Sequence, residues 1–310
     1  MSKKKDKKDD KKKSRSSPTQ IESKIAAEVQ PEKIVGDGSP RIDYPRYRVE
    51  PGKNVSLKDI DPDESEGFGT KAEIAAELER LNQKLSDLQE RLYAEGKRSM
   101  LIVLQAMDTG GKDGTIKHVF EGVNAQGCQV ASFKAPSPEE LAHDFLWRCH
   151  QKTPGRGMIT IFNRSHYEDV LVVRVKKFVP EEVWQQRYSL INDFERLLTE
   201  NNTVVLKFLL HISKDEQKRR LQARIDTPEK EWKFASGDLV ERALWDDYMA
   251  AYEDAINRCS TEYAPWYVVP ANHKWYRNLV IARAITDTLE AMNPQFPPPE
   301  PDLKKIVIPD

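Results

Sequence analysis

Between residues 70 and 96 the apolar positions fall at Ile74, Leu78, Leu81, Leu85, Leu88 and Leu92, in alternating steps of four and three. That spacing sets them on one stripe of a long α-helix. Thr70 with Glu73 reads as a capping box at its start, and Gly96 suits its end. A stripe of this kind packs on its own domain or on a partner chain. From Met100 onward the pattern changes. Apolar or alternating runs at 100–106 (MLIVLQA), 128–134 (CQVASFK), 158–163 (MITIFN), 203–212 (TVVLKFLLHI) and 266–271 (WYVVPA) predict strands. Helical stretches separate them. One follows the first run, one is opened by Ser137, Pro138 and Glu140, and one starts near Ser165. Others follow Pro180, start at a Ser213 and Glu216 cap, cover 239–256, and start near Lys274. Strands separated by helices pair in parallel through right-handed crossovers. The prediction is a three-layer α/β/α fold around a central five-stranded parallel sheet. Ligands bind such sheets at the C-terminal strand ends, where the loops after Ala106, Phe162 and Ile212 fall.

The first of these loops contains Asp108, Thr109, Gly110, Gly111, Lys112, Asp113, Gly114 and Thr115. A phosphate-binding loop follows G-x-x-x-x-G-K-[ST], because bare N–H groups wrap a phosphate, a Lys reaches its neighbour and a hydroxyl holds Mg²⁺. Gly111 and Lys112 keep the centre of that pattern, while Ala106 replaces the first Gly and Asp113 the hydroxyl residue. Strand, glycine turn and helix come in the required order, and a helix N-terminus favours an anion. The competing reading is a tight turn whose glycines serve only positive φ. Lys112 can touch a transferring phosphoryl group. Asp108 repels phosphate, so it is a Mg²⁺ ligand, a group that orients the attacking oxygen, or a carboxylate closing an Asx-turn.

Two further charged stretches fall at the same edge. Kinases with this loop commonly end a later strand in an Asp that holds Mg²⁺. Here Asn163 stands there, followed by Arg164, whose planar fork suits phosphate. Glu168 supplies the missing charge or closes a capping box with Ser165. His166 reads as a surface or supporting residue. After residue 212, Arg220 and Arg224 share one helical face, with Lys230 and Lys233 beyond Pro228. These form a solvated face, or a lid over about 214–245 that closes cations over phosphates. Lys117, Lys134 and Arg148 either guide a chain of phosphates or are ordinary surface bases.

Composition narrows the field. The chain has 310 residues, 32% of them charged, and a net charge of −1, so it has no bulk attraction for nucleic acid or acidic lipid. Three scattered cysteines make neither a disulfide framework nor a zinc site. No apolar run of membrane-spanning length occurs and no signal-peptide core opens the chain, which predicts a cytoplasmic protein. Residues 1–40 read as a disordered lysine-rich tail, 41–98 as an extension carrying the long helix, and 294–310 as a Pro-rich tail.

The stretches AMDTGGKDGTIKHVFEGVNAQGCQVASFKAPSPEELAHDFLWR, FNRSHYEDVLVVRV, EQKRRLQARIDTPEKEWKF and WDDYMAAYEDAINRCSTEYAPWYVVPANHKWYRN resemble the polyphosphate kinase 2 family. The resemblance runs from about residue 44 to about 292. It implies a P-loop kinase fold over 99–293, related to thymidylate kinases, with a helical lid. It also implies Mg²⁺-dependent phosphoryl transfer between inorganic polyphosphate and a nucleotide, with Mn²⁺ an alternative metal. By position, Asp108, Lys112, Arg164, Arg220 and Arg224 correspond to the family's phosphate and metal contacts. Much of the family has Asp-Arg-Ser-x-Tyr-Asn where this chain has Asn163 to Glu168. The variant resembles the class III subgroup, which accepts AMP as well as ADP. The expected partners are polyphosphate and AMP, ADP and ATP, with guanine nucleotides an alternative, in a homo-oligomer (dimer or tetramer). Nucleic acid and membrane are not expected partners. An ATP-dependent nucleoside monophosphate kinase and a non-catalytic polyphosphate-binding protein are the competing functions.

Overall fold

A computed structural model describes residues 43–309; the lysine-rich tail predicted for 1–40 lies outside the described residues. The strand Ser99–Gln105 (β2) is buried at every position and forms the middle of the sheet. Around it lie β3 (Cys128–Ser132), β4 (Ile159–Asn163), β5 (Thr203–His211) and β6 (Trp266–Pro270), all parallel. The sheet has six strands rather than five. Arg48–Val49 (β1) adds an antiparallel edge against β6, giving the order β1-β6-β5-β2-β4-β3. A two-residue strand carries no readable period, so the pattern of apolar positions could not show it.

The path from β2 to β3 crosses the sheet one way, and the paths from β4 to β5 and β5 to β6 cross it the other way. Right-handed crossovers therefore put the connecting helices on opposite faces. Lys71–Glu95 (α1) and Lys112–Val119 (α2) pack with Lys274–Met292. Glu181–Glu200 (α3) lies against β5 and against Trp245–Cys259. Lys214–Ile225 (α4) follows β5 and leads into the short helices Pro228–Glu231 and Gly237–Ala243. Trp245–Cys259 is α5 and Lys274–Met292 is α6. No helix among the described residues is long and apolar enough to cross a membrane.

The leucine stripe of α1 is internal. Ile74, Leu81, Leu85 and Leu92 are wholly buried, and the helix rests on α6. Each such side chain contributes roughly 1.5–3 kcal/mol of burial, which settles the stripe on its own domain. Gly96 ends the helix as predicted, at φ +60° with its N–H on the Leu92 carbonyl at 3.2 Å. The predicted box at the start does not form. The Thr70 hydroxyl donates to Glu73 Oε1 at 3.0 Å, and Glu73 Oε2 accepts from the Gly69 N–H at 3.1 Å. Ser137 with Glu140 makes the full box, and Ser213 accepts from the Glu216 N–H at 3.1 Å.

Behind the sheet lies a knot of ionisable groups. Lys207 of β5 is wholly buried, with Nζ donating to Glu195 Oε2 at 2.5 Å, the Cys259 carbonyl at 2.6 Å and the Tyr167 hydroxyl at 2.8 Å. Glu195 Oε1 accepts from Tyr167 at 2.9 Å and lies 3.1 Å from His166 Nε2. Burial works to raise the Glu195 carboxyl, but Lys207 and His166 overcome it and hold it below its ordinary value. Burial lowers His166, which is therefore a neutral core residue and not a surface one.

Candidate active site

The loop after β2 is built by close approach. Ala106 and Met107 are nearly buried, and the Gly110 N–H returns to the Met107 carbonyl at 2.9 Å. A Cβ on Gly110 would stand 2.4 Å from the Ala106 Cβ. Gly111 has φ +103°, and a Cβ there would stand 2.0 Å from Arg277 Nη1. Both positions therefore require glycine, and α2 begins directly after them.

Lys112 is nearly buried beneath this turn, with Nζ donating to the Ala106 carbonyl at 2.9 Å. Burial, and then Arg164, lower its pKa; Asp108, Glu168 and Asp113 oppose them. Arg164 sits at φ +63°, its N–H on the Leu104 carbonyl at 3.1 Å, so the end of β4 is held against the end of β2. Its Nη2 donates to Asp108 Oδ1 at 3.0 Å, and Asn163 Nδ2 donates to Asp113 Oδ1 at 2.7 Å. Two contacts thus stitch the second predicted stretch to the first. The Asp108 carboxylate faces Arg164 and not the N–H groups of its own turn.

Ser165 and Glu168 do not form a capping box. The Ser165 hydroxyl accepts from the Tyr167 N–H at 3.1 Å, and the chain tightens into a 3₁₀ turn over His166–Asp169. With the Gln105 amide oriented to satisfy its neighbours, Gln105 donates to Glu168 Oε1 and accepts from the Ser165 hydroxyl, both at 3.1 Å. Burial raises the Glu168 carboxyl, Arg164 and Lys112 pull it down, and Asp108 pushes it up, with a net rise. Glu168 does not itself line the open space.

That open space is a cleft of about 2140 Å³. Asp108, Thr109, Gly110, Gly111, Lys112, Asp113, Gly114, Asn163 and Arg164 line it, together with Lys134, Arg220, Arg224, Lys230 and Lys233. Thirteen lysines and arginines line it against six carboxylates, in a chain of net charge −1. The excess of cations is local, and it suits a polyanion.

Several predicted residues have other work. Every N–H of Arg220 is taken: Nε by Glu216 Oε1 at 2.5 Å, Nη1 by the Thr109 and Gly110 carbonyls at 3.0 and 3.1 Å, and Nη2 by the Ala271 and Asn272 carbonyls at 2.6 and 3.0 Å. In this structure it braces the loop from the wall of the cleft. Arg224 ties the segment after α4 together through the Lys233 carbonyl and Asp238 Oδ2, both at 2.9 Å. The Thr115 hydroxyl donates to the Gly111 carbonyl at 3.2 Å and does not reach the cleft. Lys117 is exposed away from it. Arg148 is buried over the Phe133 ring, donates to the Lys134 carbonyl at 2.8 Å, and also stays outside.

Sequence reasoning missed other residues at the site, Gln217, Lys274 and Arg277 among them. Gln217 Nε2 donates to the Asp108 carbonyl at 3.1 Å, Lys274 lines the cleft from α6, and the nearly buried Arg277 of the same helix borders it. Arg277 had a signal: it shares the helical face of Val280, Ile281 and Ala284, all buried, and a base on an apolar face needs a reason. For a metal, no cluster of three or more His, Cys, Asp or Glu occurs among the described residues. Mg²⁺ on phosphates needs only one or two carboxylates, because the substrate supplies other oxygens. Asp108, which lines the cleft, fits that requirement; Glu168 does not line it.

A family model described as Polyphosphate kinase 2 (PPK2) matches residues 69–297. The AMP/ADP-polyphosphate phosphotransferase of Meiothermus ruber is 57% identical over 264 residues, covering 85% of this chain and 99% of that protein. The ADP-polyphosphate phosphotransferase of Rhodopseudomonas palustris is 45% identical over 278 residues, covering 86% of this chain and 96% of that protein. The crystal structure of Polyphosphate Kinase 2 from Arthrobacter aurescens TC1 superposes with a TM-score of 0.81 at 46% identity, over 84% of this chain and 93% of that one.

Proposed function

The chain belongs to the polyphosphate kinase 2 family, and from that premise we propose that it moves the terminal phosphoryl group of inorganic polyphosphate to AMP and to ADP, giving ADP and ATP. The observation that carries this reading is the cationic cleft, to which the β2 loop, the end of β4 and the lid segment all contribute bases. A chain of phosphates laid along it meets the N-terminus of α2, Lys112 and Arg164, then Lys230 and Lys233.

Transfer is in line, from one phosphate to an oxygen of the next, and no covalent enzyme intermediate is needed. An ionised phosphate acceptor needs no general base, and His166 is wholly buried behind the sheet. Lys112 reaches the transferring group by leaving the Ala106 carbonyl, which exchanges a neutral acceptor for an anionic one. Arg164, fixed through its main chain to β2, places its guanidinium beside Asp108 at the same point. Asp108 would hold Mg²⁺, or Mn²⁺ in its place, which when bound neutralises charge on the phosphate oxygens. Free cysteines and the absence of a spanning helix among the described residues accord with a cytoplasmic setting.

The test is donor dependence. With AMP, Mg²⁺ and polyphosphate but no ATP, ADP and then ATP are expected. Product that appears only when ATP is supplied makes the protein a conventional monophosphate kinase. No transfer from either donor by folded protein makes it a binding protein.

A further inference from the structure

Two guanidinium groups meet beneath the phosphate loop. Arg220 and Arg277 both donate to the Gly110 carbonyl, at 3.1 and 3.2 Å. Arg220 has a carboxylate partner in Glu216. Arg277 has none among the described residues; its other contact is the neutral Asn278 Oδ1, at 2.8 and 3.2 Å. It is only 1% exposed, and burial together with Arg220 pushes its guanidinium down to about 9. An unpaired buried cation opposes folding, and an apolar side chain of the same length would pack there at less cost. Its place therefore needs a reason other than stability.

We propose that Arg277 is a positioning residue of the phosphate site: it fixes the Gly110 carbonyl from below and so turns the Gly111 N–H into the cleft. The reason lies in the peptide plane. In a trans peptide the carbonyl and the following N–H point to opposite sides. With the Gly110 oxygen held toward the two arginines, the Gly111 N–H faces away from them, and Gly111 lines the cleft. No described residue accepts a hydrogen bond from that N–H, so it is left for an anion. Glycine at 111 also makes room, because any Cβ would collide with Arg277 Nη1.

Two arginines are needed because their helices differ. Arg220 sits on α4, which runs on into the lid. Arg277 sits on α6, where Tyr276, Leu279, Val280 and Ile281 are wholly buried. Arg277 thus holds the peptide plane from a helix other than the one that leads into residues 226–245.

This inference rests on the phosphotransferase reading of the cleft, and one titration separates the two. Inorganic tripolyphosphate is titrated calorimetrically into full-length wild type, Arg277→Met and Arg277→Lys, and unfolding temperatures are taken without ligand. The expected result is at least tenfold weaker binding by Arg277→Met, partial recovery by Arg277→Lys, and unfolding temperatures no lower than wild type. Wild type that fails to bind tripolyphosphate removes the reading of the cleft itself. Wild type and Arg277→Met binding equally well removes the role of Arg277 and leaves that reading standing. Weaker binding that tracks a lowered unfolding temperature makes Arg277 merely structural and also overturns the proposal. Should Arg277→Met fail to fold, Arg277→Lys decides: about threefold weaker binding supports the proposal, and unchanged affinity overturns it.

Discussion

The molecule carries two clusters of charge, one behind the sheet and one in front, and they are built on opposite terms. Behind, Lys207 has three acceptors, and Glu195 answers it with two occupied oxygens. In front, Lys112 rests on a carbonyl, Arg277 on a carbonyl and an amide, and the cleft holds about twice as many bases as acids. The same residue type behaves oppositely in the two places. The carboxyl of Glu195 is held below its ordinary value, whereas that of Glu168 is held above it. A balanced cluster stabilises itself, whereas an unbalanced one is completed by a ligand. Burial of charge does not by itself mark a site; an unmatched sign does.

The comparison is tested hardest by removing one cation from the front. Lys112→Met should lower phosphoryl transfer by about 10³-fold, the scale for losing one donor to a developing charge. Its unfolding temperature should not fall, because Lys112 has no carboxylate bound to it. A matching loss of stability would mean that the front cluster is structural as well. Behind the sheet the outcome should invert. Glu195→Gln leaves Lys207 without its counter-charge and should cost about 3 kcal/mol in urea denaturation, with transfer by the folded fraction kept within a few-fold. A variant as stable as wild type would show that the knot is not a matched pair.

Glu168 sharpens the contrast within the front cluster. It stands five positions beyond Asn163, and a carboxylate there should place a short acceptor differently from a long one. Glu168→Gln is expected to lower turnover of AMP about tenfold more than that of ADP; equal losses on both would remove the selecting role. The smallest effect is on stability. A carboxyl held above its unfolded value contributes stability at low pH that is lost as pH rises through the folded value. Glu168→Gln should therefore unfold at a higher temperature than wild type at pH 7, and the gap should close toward pH 4. For Glu195 the sign reverses: its contribution is present at neutral pH and is lost as pH falls through the depressed value. A gap for Glu168→Gln that widens on acidification would contradict the assignment.

Much of this was legible in the sequence, and the failures have physical causes. β2 declared itself because a parallel strand buried on both faces is largely apolar, as Met100 to Leu104 are, whereas β3 at the sheet edge is half exposed and mixed in composition. The edge strand Arg48–Val49 is too short to show a period. Thr70 and Ser165 misled because S/T-x-x-E describes a box without deciding which N–H is reached; at Thr70 the carboxylate went back to Gly69, and at Ser165 the chain tightened to a 3₁₀ turn. Lys112, Asp108 and Arg164 were readable since their loops follow strands whose C-terminal ends lie side by side. Arg148 and Lys117 look like Arg164 in sequence, and only packing separates a base over Phe133 from one facing the cleft. Arg220 lines the cleft as its sequence position suggests, but that its donors are all occupied is not legible without coordinates. Arg277 lies within a helix and not in a loop after a strand, so its approach to the Gly110 carbonyl depends on tertiary packing that the sequence does not display.

The central claim is that one row of phosphates lies across the β2 loop and the end of β4. A crystal structure of the full chain grown with tripolyphosphate and Mg²⁺ tests it most directly. The account predicts phosphate density within hydrogen-bond reach of the Gly111 N–H, Lys112 Nζ and the Arg164 guanidinium together. Tripolyphosphate bound elsewhere, with Lys112 still on the Ala106 carbonyl and Arg164 still facing only Asp108, would contradict it.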